Sequence, residues 1–226
     1  MPTPHKLRSQ GPAEDIDLDH PHGRDTEGSM FDIEYQMVQY GSYHHTTGNR
    51  LIHHVCVPAI CWATLLMLAP LKVPGYSVTV LAKGFAFQPS FSLFLATFYQ
   101  VFYFILEPTA AAAMMGLVAL EYLTATYCYA FTPSWIPFQS SFNGSAVPFG
   151  VFVFVVGFLI QFVGHGVFEK RKPRLMDNLF QAFIAAPFFV WLELLFIFFN
   201  YRPELQAKLE SKVETELRKL NSAKNK

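Results

Sequence analysis

The order of hydrophobic and polar positions divides the chain into long apolar segments separated by short polar stretches. A helix needs about 20 mostly apolar residues to cross a bilayer. Segments near that length occupy residues 51–71, 89–106, 109–131, 146–165 and 179–201. A shorter pattern between Phe31 and Tyr40 predicts an amphipathic helix that ends near Gly41. The pattern therefore predicts an all-α, polytopic membrane helix bundle.

The basic residues give an expected orientation. The densest short basic stretch, residues 170–174, follows the fourth apolar segment, and the positive-inside rule places such a loop in the cytosol. Four spans before it keep the N-terminus on the same side. The fifth segment contains Pro187, which interrupts the hydrogen-bond ladder of a helix. We therefore expect four spans plus a bent or re-entrant fifth helix.

Polar segments flank the apolar block at both ends. Residues 1–29 are rich in Pro, Gly, Asp and His, have no apolar period, and are typical of a disordered polar tail. They also lack the hydrophobic core of a cleavable signal peptide. Residues 203–226 carry mixed charge and predict a charged C-terminal helix or tail outside the membrane. Residues 30–202 are expected to form one membrane-embedded domain.

Composition supports the membrane assignment and excludes one class of partner. Only 15% of residues are charged, against about a quarter in a soluble domain. Between residues 55 and 164 the charged residues are Lys72, Lys83, Glu107 and Glu121. The formal net charge is zero, so we expect no nucleic acid partner, because no basic face is available to follow phosphates. The three cysteines lie in apolar stretches and are expected to be small buried hydrophobes.

The histidines outside the N-terminal tail lie at the two ends of the long apolar block. They are His44, His45, His53 and His54 before it and His165 after it. Nine residues separate the first and third of these, which places them on opposite faces of one continuous helix. Residues 46–49 are expected to break that helix, with Asn49 as the N-cap of the first span, so that the rings can converge. Imidazoles with a nearby carboxylate fit Fe(II) or another transition metal.

Structural roles are the alternative for these residues. Adjacent histidines cannot both face one site on a helix, so at least one ring of each pair is expected to be structural. Glu169 shares a helix face with His165, four residues earlier. Glu193, in the fifth apolar segment, could orient a ligand histidine, or could pair with Arg or Lys at the membrane edge. Asn49 is a further candidate for a supporting contact.

Two blocks of the sequence carry a resemblance to a known family. The first comprises Tyr43, His44, Asn49, Leu51, Ile52, His53, Val57 and Pro58. The second comprises residues 161–171 with Pro173, Asp177, Asn178, Ala186, Pro187 and Glu193. Together they resemble the endoplasmic-reticulum 2-hydroxy fatty acid dioxygenases of α-oxidation, which act on acyl chains derived from phytosphingosine. The resemblance covers roughly residues 31–202.

The resemblance implies an Fe(II)-dependent enzyme whose metal ligands are His44, His53 and His165. We expect Glu169 to take part in catalysis and Asn49 and Glu193 to support the ligands. His45 and His54 are expected to be dispensable.

The implied reaction is the O2-dependent shortening of a 2-hydroxy long-chain fatty acid by one carbon. The domain over residues 30–202 would then be the catalytic domain of a multi-pass protein in the endoplasmic reticulum membrane. Its active site would lie on the cytosolic side, and the acyl chain of the substrate would lie among lipid-facing helices. A di-iron hydroxylase needs more histidines than this chain offers. The remaining alternatives are a non-enzymatic lipid-binding membrane scaffold and a b-type haem protein that uses His53 or His54 with His165.

Overall fold

The computed structural model describes residues 30–170 and 179–224 of the chain. The described residues form α1 (Ile33–Tyr43), α2 (Thr47–Leu68), α3 (Phe91–Leu106), α4 (Pro108–Phe131), α5 (Val147–Gly164), α6 (Ala186–Phe199) and α7 (Pro203–Lys224). Two π turns, His165–Glu169 and Gln181–Ala185, continue α5 and precede α6. The predicted tail over residues 1–29 and most of the basic stretch 170–174 lie outside the described residues.

The predicted all-α membrane bundle is confirmed. Four helices are long and apolar enough to cross a membrane: α2, α4, α5 with its π turn, and α6 with the π turn before it. The second predicted segment forms α3, which is shorter at 16 residues. Strand structure in the described residues is confined to a hairpin, β1 (Thr79–Ala82) and β2 (Phe85–Phe87), in the α2–α3 connection.

The fifth apolar segment is irregular beside its proline, where the π turn Gln181–Ala185 precedes α6. With that turn it is one of the four candidate spans, whereas the second segment, predicted to span, is too short. Pro187 has no N–H group to donate to the carbonyl of Phe183, and the hydroxyl of Tyr99 donates to that carbonyl instead, at 2.9 Å. Tyr103 donates in the same way to the carbonyl of Ile184, at 3.0 Å. The α3 tyrosines therefore satisfy carbonyls at the π turn, which allows irregular backbone within an apolar environment.

α6 contacts the end of the bundle where α2 begins. Trp191 donates to the carbonyl of Ala110 in the first turn of α4, and Glu193 contacts Arg50 and His54 near the start of α2. Together with the α3 contacts above, all of these partners belong to the half of the bundle where α2 begins. A separate hydrophobic cluster packs in the opposite half of the bundle and includes Leu65, Leu66, Ala96, Tyr122 and Ala125.

The amphipathic first helix packs against the C-terminal helix. It continues past the predicted end at Gly41 to Tyr43. Gly41 contacts α7, since a Cβ atom there would lie 2.8 Å from Val213 Cγ2. Lys208 and Lys212 pair with Glu34 at 2.6 and 2.9 Å. Their hydrogen bonds lower the pKa of the Glu34 carboxyl.

Candidate metal centre

Three of the predicted site residues meet at one end of the bundle. His44 caps the C-terminus of α1, His53 lies near the start of α2, and His165 opens the π turn after α5. All three side chains are buried. One nitrogen of each ring lies within 4.8 Å of the other two, in a group that could hold a metal ion.

The hydrogen bonds of two of these rings determine their tautomers. His44 Nδ1 lies 2.9 Å from the carbonyl oxygen of Tyr40, and His53 Nδ1 lies 3.0 Å from that of Asn49. A carbonyl oxygen only accepts, so each Nδ1 carries the hydrogen and each Nε2 presents a lone pair. The two Nε2 atoms face one another at 3.2 Å. A cation between them would stabilise this arrangement, and the donor set therefore fits Fe(II) or a related transition metal.

The same geometry does not favour the haem alternative that pairs His53 with His165. The ring centroids of the three histidines are 4.3, 4.7 and 5.0 Å apart, and the rings meet edge to face. That spacing is too small for a porphyrin to lie between any two of the rings.

The connection from α1 to α2 differs from the predicted one. The sequence places a helix break over residues 46–49 with Asn49 as N-cap, whereas the structure has Thr46 as N-cap and Asn49 inside α2. The reason is that the Asn49 side chain contacts other elements. Its Nδ2 lies 3.3 Å from Glu169 Oε1 and 3.4 Å from His165 Nδ1. Asn49 thus joins the start of α2 to the end of α5, as a supporting residue would.

Close packing of α2 against α5 brings these groups together. A Cβ atom on Gly164 would lie 2.7 Å from Asn49 Oδ1, and one on Gly157 would lie 2.7 Å from Ile60 Cγ1. Small residues on one helix face let two backbones approach closely within a membrane. His165 follows Gly164 directly, so this close approach sets its position against α2.

Glu169 lies beside the histidine group and outside it. Its Oε1 accepts from the backbone N–H of Thr46 at 3.0 Å and from the Thr46 hydroxyl at 2.7 Å, and its other oxygen pairs with His45 Nδ1. The carboxylate is buried and holds the end of α5 to the turn between α1 and α2. Its position is that of a structural clamp on the segment that carries His44.

Glu193 contacts none of the three clustered histidines directly. It pairs with Arg50 Nε at 3.0 Å and with His54 Nε2 at 2.9 Å, which corresponds to the predicted alternative of a buried carboxylate paired with a basic residue. Each of these two carboxylates thus engages the second histidine of a His-His pair, His45 with Glu169 and His54 with Glu193.

A cavity of about 360 Å³ extends from the three histidines between the helices. Residues of α2 from His53 to Leu68 line it, a rise of about 22 Å along the helix axis. Phe154, Phe158 and Phe162 of α5 form part of its wall. The cavity is therefore long and mostly apolar, and it reaches the second hydrophobic cluster at Leu65 and Ala96. The histidines and Gln161 lie at one end of it, and Glu121 also lines it.

Sequence analysis missed two residues at the histidine end. The ring of Tyr40 stacks on His44 with centroids 4.1 Å apart, and Gln161 lines the cavity. Each lies four residues before a histidine of the cluster, on the same helix face. That spacing is the signal that could have identified them.

Comparisons with known proteins agree over most of the chain. A family model described as 2-hydroxy-palmitic acid dioxygenase Mpo1-like matches residues 30–198. The 2-hydroxy-palmitic acid dioxygenase MPO1 of Saccharomyces cerevisiae is 32% identical over 192 residues, which cover 84% of this chain and 95% of that protein. No solved structure matches the chain significantly.

Proposed function

This chain belongs to the Mpo1-like family of 2-hydroxy-palmitic acid dioxygenases, and we propose that it is an Fe(II)-dependent dioxygenase that shortens 2-hydroxy long-chain fatty acids by one carbon. The observation that carries the proposal is the buried group of three histidines at one end of a long apolar cavity. A polar head and a long acyl tail are the parts of such a substrate, and the cavity offers a matching environment for each.

The proposed reaction breaks the bond between C1 and C2 of the substrate. C2 becomes the carboxyl carbon of the shorter acid, C1 leaves as CO2, and one O2 is consumed with release of one water. Atoms and electrons balance without an external reductant. Fe(II), when bound, would supply the redox chemistry with O2 and a positive charge for the substrate oxygens.

The protein's own residues would hold and isolate the reacting groups. The carbonyls of Tyr40 and Asn49 keep the rings of His44 and His53 in the tautomer that presents Nε2 to the centre. Burial of the histidines excludes bulk water, which strengthens electrostatic interactions at the site. The phenylalanine-lined cavity would take the acyl tail, at about 0.8 kcal/mol for each methylene that is buried.

We propose the catalytic domain to be residues 30–202, in the membrane of the endoplasmic reticulum with the histidines near the cytosolic face. Large apolar side chains on the outer face of α5, such as Leu159 and Val163, are exposed and suit contact with lipid. Acyl chains from phytosphingosine breakdown are the proposed source of substrate. Protease protection of an epitope placed before residue 30, in sealed microsomes, tests the orientation: the epitope should be digested without detergent.

The assay that tests the function gives purified protein Fe(II), O2 and 2-hydroxypalmitic acid and measures pentadecanoic acid. We expect product from the wild-type protein and none from His165→Ala, because the substitution removes one nitrogen of the histidine group. A lipid-binding scaffold would bind the acid without forming product. Undiminished product from the variant would contradict the proposal.

The far end of the cavity is expected to limit the length of the acyl chain. Leu65 lines the cavity and Leu66 does not, although both are buried in the same hydrophobic cluster. Leu65→Ala should favour a substrate two carbons longer, by about tenfold in relative kcat/KM, since each buried methylene contributes about 0.8 kcal/mol.

Leu66→Ala is the matched control for this prediction. It should cost about 2–5 kcal/mol of stability, as a buried Leu→Ala change does, with no change in chain-length preference. Competition between 2-hydroxypalmitic and 2-hydroxystearic acids measures the preference. An equal shift in both variants, or none in Leu65→Ala, would show that Leu65 does not set the length.

A further inference from the structure

The side-chain amide nitrogen of Gln161 lies near the histidines without a hydrogen-bond partner among the described residues. Gln161 lies one helical turn before His165 and lines the cavity, and the residue is only 8% exposed. Its Nε2 is itself buried. Residues four apart on a helix have Cβ atoms about 5–6 Å apart, so this amide is close to the group that His165 belongs to.

Two other polar side chains that line the cavity donate their hydrogens within the protein, whereas the hydroxyl of Tyr40, like the amide of Gln161, is buried without a partner among the described residues. Gln181 Nε2 donates to the carbonyl and side-chain oxygens of Gln36, at 3.1 and 3.0 Å. Thr64 donates to the carbonyl of Ile60 at 2.8 Å. A buried amide hydrogen that stays unmatched costs about 1–3 kcal/mol, and such a group in a native protein calls for a partner. Gln161 therefore differs from the other two in having donors to offer a ligand.

We propose that Gln161 Nε2 donates to the carboxylate of the bound 2-hydroxy acid and selects acids over other long-chain 2-hydroxy lipids. This inference rests on the proposed function, because it assumes that the acyl chain occupies the cavity with its head at the histidines. A carboxylate only accepts hydrogen bonds, whereas the amide nitrogen only donates them, so the two are complementary. The carboxylate end of the acyl chain would lie where the cavity wall changes from phenylalanine side chains to the Gln161 amide and the histidine rings.

The test compares two ligands that differ only in the carboxylate. Binding of 2-hydroxypalmitic acid and of 1,2-hexadecanediol to the iron-loaded protein is measured without O2, so that recognition is separated from turnover. Gln161→Leu should weaken binding of the acid by about 10- to 100-fold, the value of a hydrogen bond to a charged group. Binding of the diol should not change.

Two further variants make the result specific. Gln161→Glu keeps the size of the side chain but places a carboxylate against the carboxylate of the acid, and should weaken acid binding further while diol binding is retained. Gln181→Leu removes an amide from the same cavity whose hydrogens serve Gln36. It should lower the melting temperature and leave the ratio of acid to diol affinity as in the wild type.

The outcomes separate this inference from the proposed function. If the wild-type protein neither binds nor converts the acid, the proposed function fails. If it does both, and Gln161→Leu keeps the wild-type preference for the acid or loses acid and diol equally, Gln161 does not recognise the carboxylate. In turnover, the loss should appear in KM more than in kcat.

Discussion

Replacing His53 with alanine is expected to release iron and abolish turnover. The Nε2 of this ring faces that of His44 at 3.2 Å, and its Nδ1 hydrogen is donated to the carbonyl of Asn49. Changing a residue that only supports a ligand typically costs about 10- to 100-fold in metal affinity, so removal of a direct ligand should cost at least ~100-fold. Iron content after desalting and the rate of pentadecanoic acid formation measure the effect.

His54→Ala is the matched control, one residue away in the same helix. Its ring pairs with Glu193, which also contacts Arg50. Its loss leaves a buried carboxylate with one fewer donor and should cost about 1–3 kcal/mol of stability, with iron retained. Equal loss of iron from both variants at matched stability would show that the histidine group does not hold the metal.

Replacing Glu169 with alanine is expected to cause the largest loss of stability outside the hydrophobic clusters. The carboxylate accepts from the backbone and hydroxyl of Thr46 and from the amide of Asn49, and it pairs with His45. Removing the carboxylate leaves the buried Asn49 amide and the half-buried Thr46 without their acceptor, and each hydrogen bond to a charged group contributes about 1.5–3 kcal/mol. Thermal unfolding in detergent, followed by circular dichroism, measures the change.

The variant Glu169→Gln, which is similar in size and shape, distinguishes a structural role of Glu169 from a role in the reaction. Glu169→Gln keeps an oxygen that can accept from Thr46 and should recover most of the stability and much of the turnover. If Glu169→Gln retains stability and iron but has no activity, Glu169 takes part in the reaction, as the sequence suggested. Glu214→Ala, which removes an exposed carboxylate on α7 paired with Arg218, is the control and should change neither property.

The fold could be predicted from the sequence because its elements depend on local pattern. Long apolar runs specify membrane helices through their hydropathy alone, and Pro187 indicates irregular backbone beside it through its missing N–H group. The position of α6 and of the π turn before it depends on distant partners such as Tyr99, Tyr103 and Ala110. Those contacts follow no periodicity that the sequence displays.

The sequence predicted only part of the site, because only part of it follows a local pattern. The histidines could be identified because they cluster at the ends of the apolar block, and the structure does bring His44, His53 and His165 together. The cap at Thr46 could not be predicted, since it depends on the use of the Asn49 side chain by the distant Glu169 and His165. Whether the three rings bind iron stays a prediction.

The most direct measurement follows the carboxyl carbon of the substrate. The iron-loaded protein is given O2 and 2-hydroxypalmitic acid labelled with carbon-13 at C1, and CO2, pentadecanoic acid and O2 consumption are quantified together. The account predicts labelled CO2 and unlabelled pentadecanoic acid in equal amounts, one O2 for each, and loss of all three on chelation of iron or substitution of His44, His53 or His165. Label retained in the acid product, or turnover that survives removal of the metal, would contradict it.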